Sequence, residues 1–259
     1  MQKIAAITGA SGGLGSALYK SLTLKGYTVY SLSLDNPEDF SNFVYCDVTT
    51  EETVMAAFKE ISNSGGIDLL IVNAGIGVMG ATEDLPSPTI ERVIDVNYTG
   101  AMYTLKHGAK ALNKSGRILV TASASGLFPL PYRGLYCATK SALHISALSM
   151  DLEMRKNGKR VVSVCPGEIN TRFVENRITH CGGEHSENVE NLKKEFIEKR
   201  NTRMSADFAA KQYLKIADKK NPKPFYIIGG KYKFFYLMSK ILPCRLFHKL
   251  IMKKYGGSK

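Results

Sequence analysis

A chain of 259 residues in which 44% of the side chains are hydrophobic can bury one large core, and no Pro/Gly/Ser-rich stretch divides it in two. Its net charge of +12 is uneven: residues 219–259 carry 11 Lys and Arg and no acidic side chain, leaving 24 basic against 23 acidic side chains over residues 1–218. A near-neutral body with a basic end excludes nucleic acid as the expected partner, because a nucleic-acid enzyme spreads its positive stripe over the fold.

Apolar runs suited to buried parallel strands alternate with segments of helical period. In chain order they predict a strand over 3–8, a helix over 13–25, strands over 27–33 and 43–47, and a helix over 51–63. A strand over 68–73 follows, then a long helix from about 87 to 112, a strand over 117–122, a helix over 134–157 and a strand over 160–165. An irregular stretch of about 30 residues leads to a helix near 205–217 and a last strand over 224–228. This alternation means βαβ units with right-handed crossovers. It predicts an α/β, doubly wound Rossmann fold with a mostly parallel seven-stranded sheet and helices on both faces.

Residues 1–230 form one domain in this reading, with a mobile substrate lid within about 172–203. Residues 231–259 mix large apolar side chains with lysines, Arg245 and His248, which predicts one or two amphipathic helices broken at Pro243. The segment is too charged to span a bilayer. It suits the surface of an anionic membrane, or a cover over the substrate pocket or a partner subunit.

The first seven residues lead straight to Gly9 and leave no room for a secretory signal, so a cytoplasmic protein with peripheral membrane contact at most is expected. Five widely spaced cysteines without C-x-x-C spacing read as reduced thiols, and no metal site is expected.

Tyr136 and Lys140 lie four residues apart in a predicted helix, so both side chains leave one face. An ammonium beside a phenol favours the phenolate and lowers its pKa from about 10, giving a proton donor suited to carbonyl chemistry. Taken alone, Tyr-x-x-x-Lys also describes a solvated helix face. The run Thr8-Gly9-Ala10-Ser11-Gly12-Gly13-Leu14-Gly15 follows the first strand and opens the first helix, the setting a dinucleotide phosphate loop requires. Ser123 ends a strand, where open α/β sheets place their ligands, and its hydroxyl can polarise a carbonyl.

With these residues in place, the sequence resembles the short-chain dehydrogenase/reductase family from residue 3 to about residue 230. Thr8-Gly9-x-x-x-Gly13-x-Gly15 matches its cofactor loop, and Asn73-Ala74-Gly75 its Asn-Ala-Gly after the fourth strand. Asp47, with Val48, matches the aspartate that contacts adenine, and Pro166-Gly167-Glu168-Ile169-Asn170-Thr171 the segment that holds the nicotinamide carboxamide. Ser123 lies 13 residues before Tyr136, the family's interval. The resemblance implies that Asn97, Ser123, Tyr136 and Lys140 are catalytic: Asn97 in a proton relay, Ser123 on the carbonyl, Tyr136 as general acid or base, and Lys140 on the phenol and the nicotinamide ribose. Pairing through the helices bearing Asn97 and Tyr136 implies a homodimer.

In NAD-preferring relatives an acidic residue ends the second strand; that position is Ser33 here, which leaves room for a 2′-phosphate. NADP-preferring relatives add a basic residue where this chain has Leu34 or Gly12, and Asp35 lies two positions on. NADP(H) rather than NAD(H) is therefore the expected cofactor. By the same resemblance the substrate meets Ser123, Leu127, Phe128, Tyr132, Tyr136, Glu168 and Phe173, a largely apolar set most similar to hydroxysteroid and retinol dehydrogenases. That implies a lipophilic secondary alcohol or ketone. A 3-oxoacyl reductase with an acyl-carrier partner and a non-catalytic dinucleotide sensor are the alternatives.

Overall fold

The computed structural model describes residues 2–255. Seven strands form one sheet: β1 (Ile4–Thr8), β2 (Thr28–Ser33), β3 (Phe43–Tyr45), β4 (Ile67–Val72), β5 (Leu112–Thr121), β6 (Arg160–Pro166) and β7 (Phe225–Ile228). Their order is β7-β6-β5-β4-β1-β2-β3, and every neighbouring pair is parallel. The sheet is doubly wound as expected, and wholly parallel.

The helices are α1 (Gly13–Leu24), α2 (Glu51–Asn63), α3 (Ser87–Ile94), α4 (Gly100–Ala111), α5 (Gly134–Met154), α6 (Ser186–Glu198), α7 (Ala206–Ala217), α8 (Gly230–Ile241) and α9 (Cys244–Tyr255). Alternation along β1 sends Ile4 and Ala6 into a core with Val54 and Phe58 of α2, Leu105 of α4 and Leu143 of α5. Ala5 and Ile7 face the opposite core, with Leu18 and Leu22 of α1 and Tyr213 and Ile216 of α7. Both sheet faces are thus covered, which explains strands that read as continuous apolar runs.

At the far end of α5, the Asp151 carboxylate, 1% exposed, ties the helix to β6. It accepts from Arg155 Nη2 at 2.5 Å, Arg160 Nε at 2.9 Å and the Val161 N–H at 3.0 Å. Burial pushes this carboxyl up, but the bonds from Arg160, Arg155 and Val161 outweigh it and hold its pKa below the usual range.

Three local features depart from the sequence reading. The helix expected over 87–112 is interrupted: a π-helical turn, Asp95–Thr99, separates α3 from α4. A π turn inserts one extra residue per turn and recurs at functional sites. The stretch expected to be irregular contains α6, whose Val189, Leu192 and Phe196 recur at helical spacing and pack with Met79 and Tyr132. Two short parallel pairs, Val78–Met79 with Ile178–Thr179 and Ile169–Asn170 with Met204–Ser205, pin that stretch to the body.

Residues 230–255 form two helices that meet at Pro243. Phe235 of α8 and Phe247 and Ile251 of α9 bury Phe128, Leu130 and Cys137. Among the described residues no helix is long and apolar enough to cross a membrane.

Candidate active site

The strand order reverses between β1 and β4, and the chain leaves the carboxyl ends of β1, β4, β5 and β6 through the segments singled out by the sequence. The glycine-rich turn is held from below. Thr8 is fully buried, and its hydroxyl accepts from the N–H groups of Asn73 at 2.9 Å and Ala74 at 3.2 Å. Asn73 Nδ2 donates to the carbonyls of Thr8 and Gly9, both at 3.2 Å. Thr8 and Asn73 therefore shape the loop through hydrogen bonds spent inside the protein.

Gly9 has φ of +66°, and a β-carbon there would stand 2.9 Å from Ala74 Cα. A β-carbon on Gly15 would stand 2.2 Å from the Gly9 carbonyl oxygen. The N-cap of α1 is Gly12, which offers no side-chain cap, and no acid lies in the first turn. First-turn amides with no side-chain acceptor and no competing carboxylate fit a pyrophosphate. Thr171 lies across this loop, because a β-carbon on Gly13 would meet its Cβ and Cγ2 at 2.7 Å. Pro166, Gly167 and Ile169 lead to Thr171 from the end of β6. Ser33 accepts from the Ser11 N–H at 3.2 Å, and Asp47 Oδ1 is turned toward Thr49, accepting from its N–H at 2.9 Å and its hydroxyl at 2.7 Å. Val48 is buried where α4 begins: a β-carbon on Gly100 would stand 2.6 Å from its carbonyl oxygen.

Above that loop Asn97, Ser123, Tyr136 and Lys140 are all buried. Asn97 sits in the π turn. Its Oδ1 accepts from the Ile76 N–H at 2.7 Å, and its Nδ2 donates to the Ile76 carbonyl at 2.9 Å and to Thr139 Oγ1 at 3.3 Å. One lone pair of Oδ1 stays free of these partners. Lys140 Nζ donates to the Thr121 carbonyl at 3.0 Å. Ser123 Oγ accepts from the Ser125 N–H at 3.1 Å, which fixes the turn after β5.

The electrostatics correct one expectation. Burial raises the Tyr136 pKa, and the charges of Arg133 and Arg177, with the Ser123 hydroxyl, only partly oppose it. The Lys140 ammonium is itself desolvated, and burial draws its pKa down to about 8. The cations that act on the phenol are thus arginines absent from the motif, and the phenol stays protonated at neutral pH.

The expected substrate residues fall into two groups. Phe173 lies tilted against Tyr136, with ring centres 6.0 Å apart, among Ile76, Val78, Leu135 and Ile178. Tyr132 has φ of +58°, uncommon for a side chain of this size, and lies under α6. Glu168 stands 3.9 Å from Arg133. Leu127 and Phe128, however, lie on the Cys137 side of α5 and pack on α8 and α9, away from this group.

Gly126, Tyr232 and Arg133 escaped the sequence reading, as did Arg177 and Arg203. Gly126 presses against α5 so closely that a β-carbon would stand 2.7 Å from the Lys140 carbonyl carbon. Tyr232 of α8 covers Gly167 and accepts from the Glu168 N–H at 3.1 Å, so the C-terminal helices reach the site. Arg133 was visible only as the residue before a helix. Among the described residues no cluster of three His, Cys, Asp or Glu is placed to hold a metal ion.

The family model of short chain dehydrogenases matches residues 3–181. Over 180 residues the chain is 32% identical to a 3-ketodihydrosphingosine reductase of Bacteroides thetaiotaomicron, covering 68% of this chain and 67% of that protein. The solved structure of ElxO with NADP bound has a TM-score of 0.75 at 25% identity and covers 90% of this chain and 100% of its own. A short-chain dehydrogenase from Streptomyces avermitilis shares the fold across 98% of this chain and 99% of its own, with a TM-score of 0.84 at 20% identity.

Proposed function

The chain belongs to the short-chain dehydrogenase family of oxidoreductases, and on that premise we propose that it interconverts a secondary alcohol and a ketone on a lipophilic substrate. The supporting observation is the burial of Asn97, Ser123, Tyr136 and Lys140 together over a glycine-rich loop that carries no competing acid. A bound nicotinamide cofactor supplies or accepts the hydride.

The protein's own part is proton handling and orientation. Ser123 Oγ donates to the substrate oxygen and aligns it with Tyr136. In reduction Tyr136 Oη gives its proton to that oxygen, and in oxidation it takes the proton back. The protonated phenol favours the first of these at neutral pH. Arg133 and Arg177 supply the charge that steadies the phenolate left behind, Lys140, anchored on the Thr121 carbonyl, is placed to hold the nicotinamide ribose, and Asn97 Oδ1, an acceptor only, orients the donor that returns the proton. Phe173, Tyr132 and Glu168 line the substrate side, and the segment about 172–203 with α6 closes over it. Exchange of Tyr136 for Phe, with turnover and cofactor binding both measured, tests the reading: turnover undiminished in that variant sinks it.

NADP(H) is the proposed cofactor. Ser33 puts a neutral hydroxyl where an acid would repel a 2′-phosphate, and ElxO carries NADP. A preference for NAD of about tenfold in fitted affinities would reverse the choice. Exposed Met102, Ile145 and Leu152 on α4 and α5 support a homodimer through those helices. Phe234, Leu237 and Ile241 form an exposed apolar stripe on α8 among lysines, which supports peripheral membrane contact by the extension.

A further inference from the structure

Three arginines from separate parts of the chain gather beside Tyr136 around one aromatic ring. Arg133 precedes α5, Arg177 precedes the short strand Ile178–Thr179, and Arg203 precedes the strand Met204–Ser205. Their guanidinium carbons stand 5.2, 4.6 and 5.3 Å from the centre of the Phe196 ring in α6. The guanidinium of Arg133 also stands 5.7 Å from the centre of the Tyr136 ring. All three are withdrawn from water: Arg133 is 8% exposed, Arg177 9%, and the side chain of Arg203 3%.

One carboxylate faces these three cations. Glu168 lies 3.9 Å from Arg133 Nη1 and 3.6 Å from Arg203 Nε, both too far for a hydrogen bond. Arg203 Nη2 donates to the Phe196 carbonyl, and among the described residues Arg177 Nη1 meets only the Met79 sulfur at 4.0 Å, a weak acceptor. The buried Nε atoms of Arg133 and Arg203 have no hydrogen-bond partner among the described residues. The ring face of Phe196 attracts cations, but it does not replace the oxygen acceptors that buried guanidinium groups lose with water. Burial, and next the repulsion of Arg133, pushes Arg177 down to about 9, still charged at neutral pH. A surplus of buried positive charge with unused donors calls for an anion.

We infer that the substrate carries an anionic group, a carboxylate or a phosphate, held by Arg133, Arg177 and Arg203 while its carbonyl faces Tyr136; this rests on the oxidoreductase reading above. The cluster borders Tyr136 and Phe173, since a β-carbon on Gly77 would stand 3.2 Å from both Arg177 Cγ and the Phe173 ring. That is the substrate side, and the apolar side chains around Phe173 would take the lipophilic body. Fork-shaped donors from three directions suit a planar carboxylate or a tetrahedral phosphate.

The test uses the full chain with NADPH. Calorimetric affinities for 4-phenylbutyrate and 2-phenylethyl phosphate are compared with that for 4-phenylbutanamide. At least one anion should bind about tenfold or more tighter than the amide, and Arg177→Met and Arg203→Gln should each remove most of that preference. NADPH affinity serves as the folding control, and the wild-type comparison decides the matter even where a variant fails to fold. Equal binding of the anions and the amide overturns the inference, as does unchanged anion affinity in both folded variants. In parallel, kcat/KM for 4-oxo-4-phenylbutanoate should exceed that for its methyl ester by about 100-fold. Equal turnover of acid and ester overturns the anionic substrate and leaves the oxidoreductase reading intact. Anion binding that the arginine variants lose, with no ketone of any kind turned over, supports the anion site and sinks the oxidoreductase reading instead.

Discussion

Asn97 and Lys140 converge on the α-carbon of Gly75: a β-carbon there would lie 3.1 Å from Asn97 Oδ1 and 3.2 Å from Lys140 Nζ. A helix interrupted by a π turn and a helix 43 positions further on are thus brought to one point by a glycine at the end of β4. Gly75→Ala should force both polar groups to give by a few tenths of an ångström. The expected result is a fall in kcat of about tenfold or more with little change in Tm, since displaced groups cost rate more than stability. Unaltered kcat in the alanine variant would show that the Asn97 and Lys140 positions do not matter to turnover.

Tyr136→Phe should lower kcat by roughly 10²- to 10⁴-fold while leaving cofactor affinity within about twofold. Because burial raises the pKa of this phenol, Tyr136 itself imposes no fall on kcat/KM for reduction between about pH 7 and 9, and a fall near pH 8 would mark Lys140 losing its proton. In oxidation it should climb over the same range as the phenolate forms. Profiles in both directions check this, and a fall in the reduction rate between pH 7 and 8 that persists in Lys140→Met would contradict it.

Lys140 exposes a conflict between stability and chemistry. Its folded pKa, about 8, lies below the ordinary 10.5, so between those values the unfolded chain holds the proton more firmly than the native one. Native stability from this group therefore rises with pH across that window and is lowest at neutral pH. Lys140→Met should be the more stable protein at pH 7 by on the order of 2 kcal/mol, lose that advantage by pH 10, and turn over at least about 100-fold more slowly. Urea unfolding of both proteins across the range measures the first two. A stability difference independent of pH would refute the assignment.

Asp151→Ala should destabilise the fold by about 3 to 5 kcal/mol, because Arg160 and the Val161 N–H lose a buried acceptor. The carboxyl pKa is held low in the folded protein, so its contribution is complete above the ordinary carboxylate range and is lost as pH falls below it. Thermal unfolding against pH should show the gap between wild type and variant closing on the acid side.

Phe234, Leu237 and Ile241 are exposed, at 55%, 51% and 63%, so replacing all three with Ser should leave Tm nearly unchanged. Sedimentation with anionic liposomes should drop, and unaltered sedimentation would exclude membrane contact through this stripe. Deleting residues 231–259 is a different matter. It uncovers Phe128, Leu130 and Cys137 and should produce aggregation.

Much of this was legible in the sequence because it is written over short distances. Apolar runs of strand length and helical periods set the seven strands and their crossovers, and Gly9 and Gly15 answer to backbone clashes inside one turn. The four-residue step from Tyr136 to Lys140 guarantees a shared helix face wherever the helix packs. What no window could show depends on which remote segment covers which group. Tyr232 lies 64 positions from Glu168, and the donor to Thr121 Oγ1 is Tyr213, 92 positions away. The π turn at Asn97 has no period of its own, so it read as continuous helix. Even the sign of the Tyr136 shift was decided this way. Local spacing placed an ammonium near the phenol, whereas the burial that overrides it comes from Val78, Val93, Phe173 and Ile178 packed around the ring, and of the arginines that partly relieve it Arg133 is a near neighbour in sequence but Arg177 is brought in by the fold. The sequence by itself determined the scaffold and the identity of the polar groups, because those follow from periodicity and covalent geometry. Tertiary structure alone decided their protonation and their counter-charges, because the energy of a charge depends on how much water the distant parts of the chain remove from it.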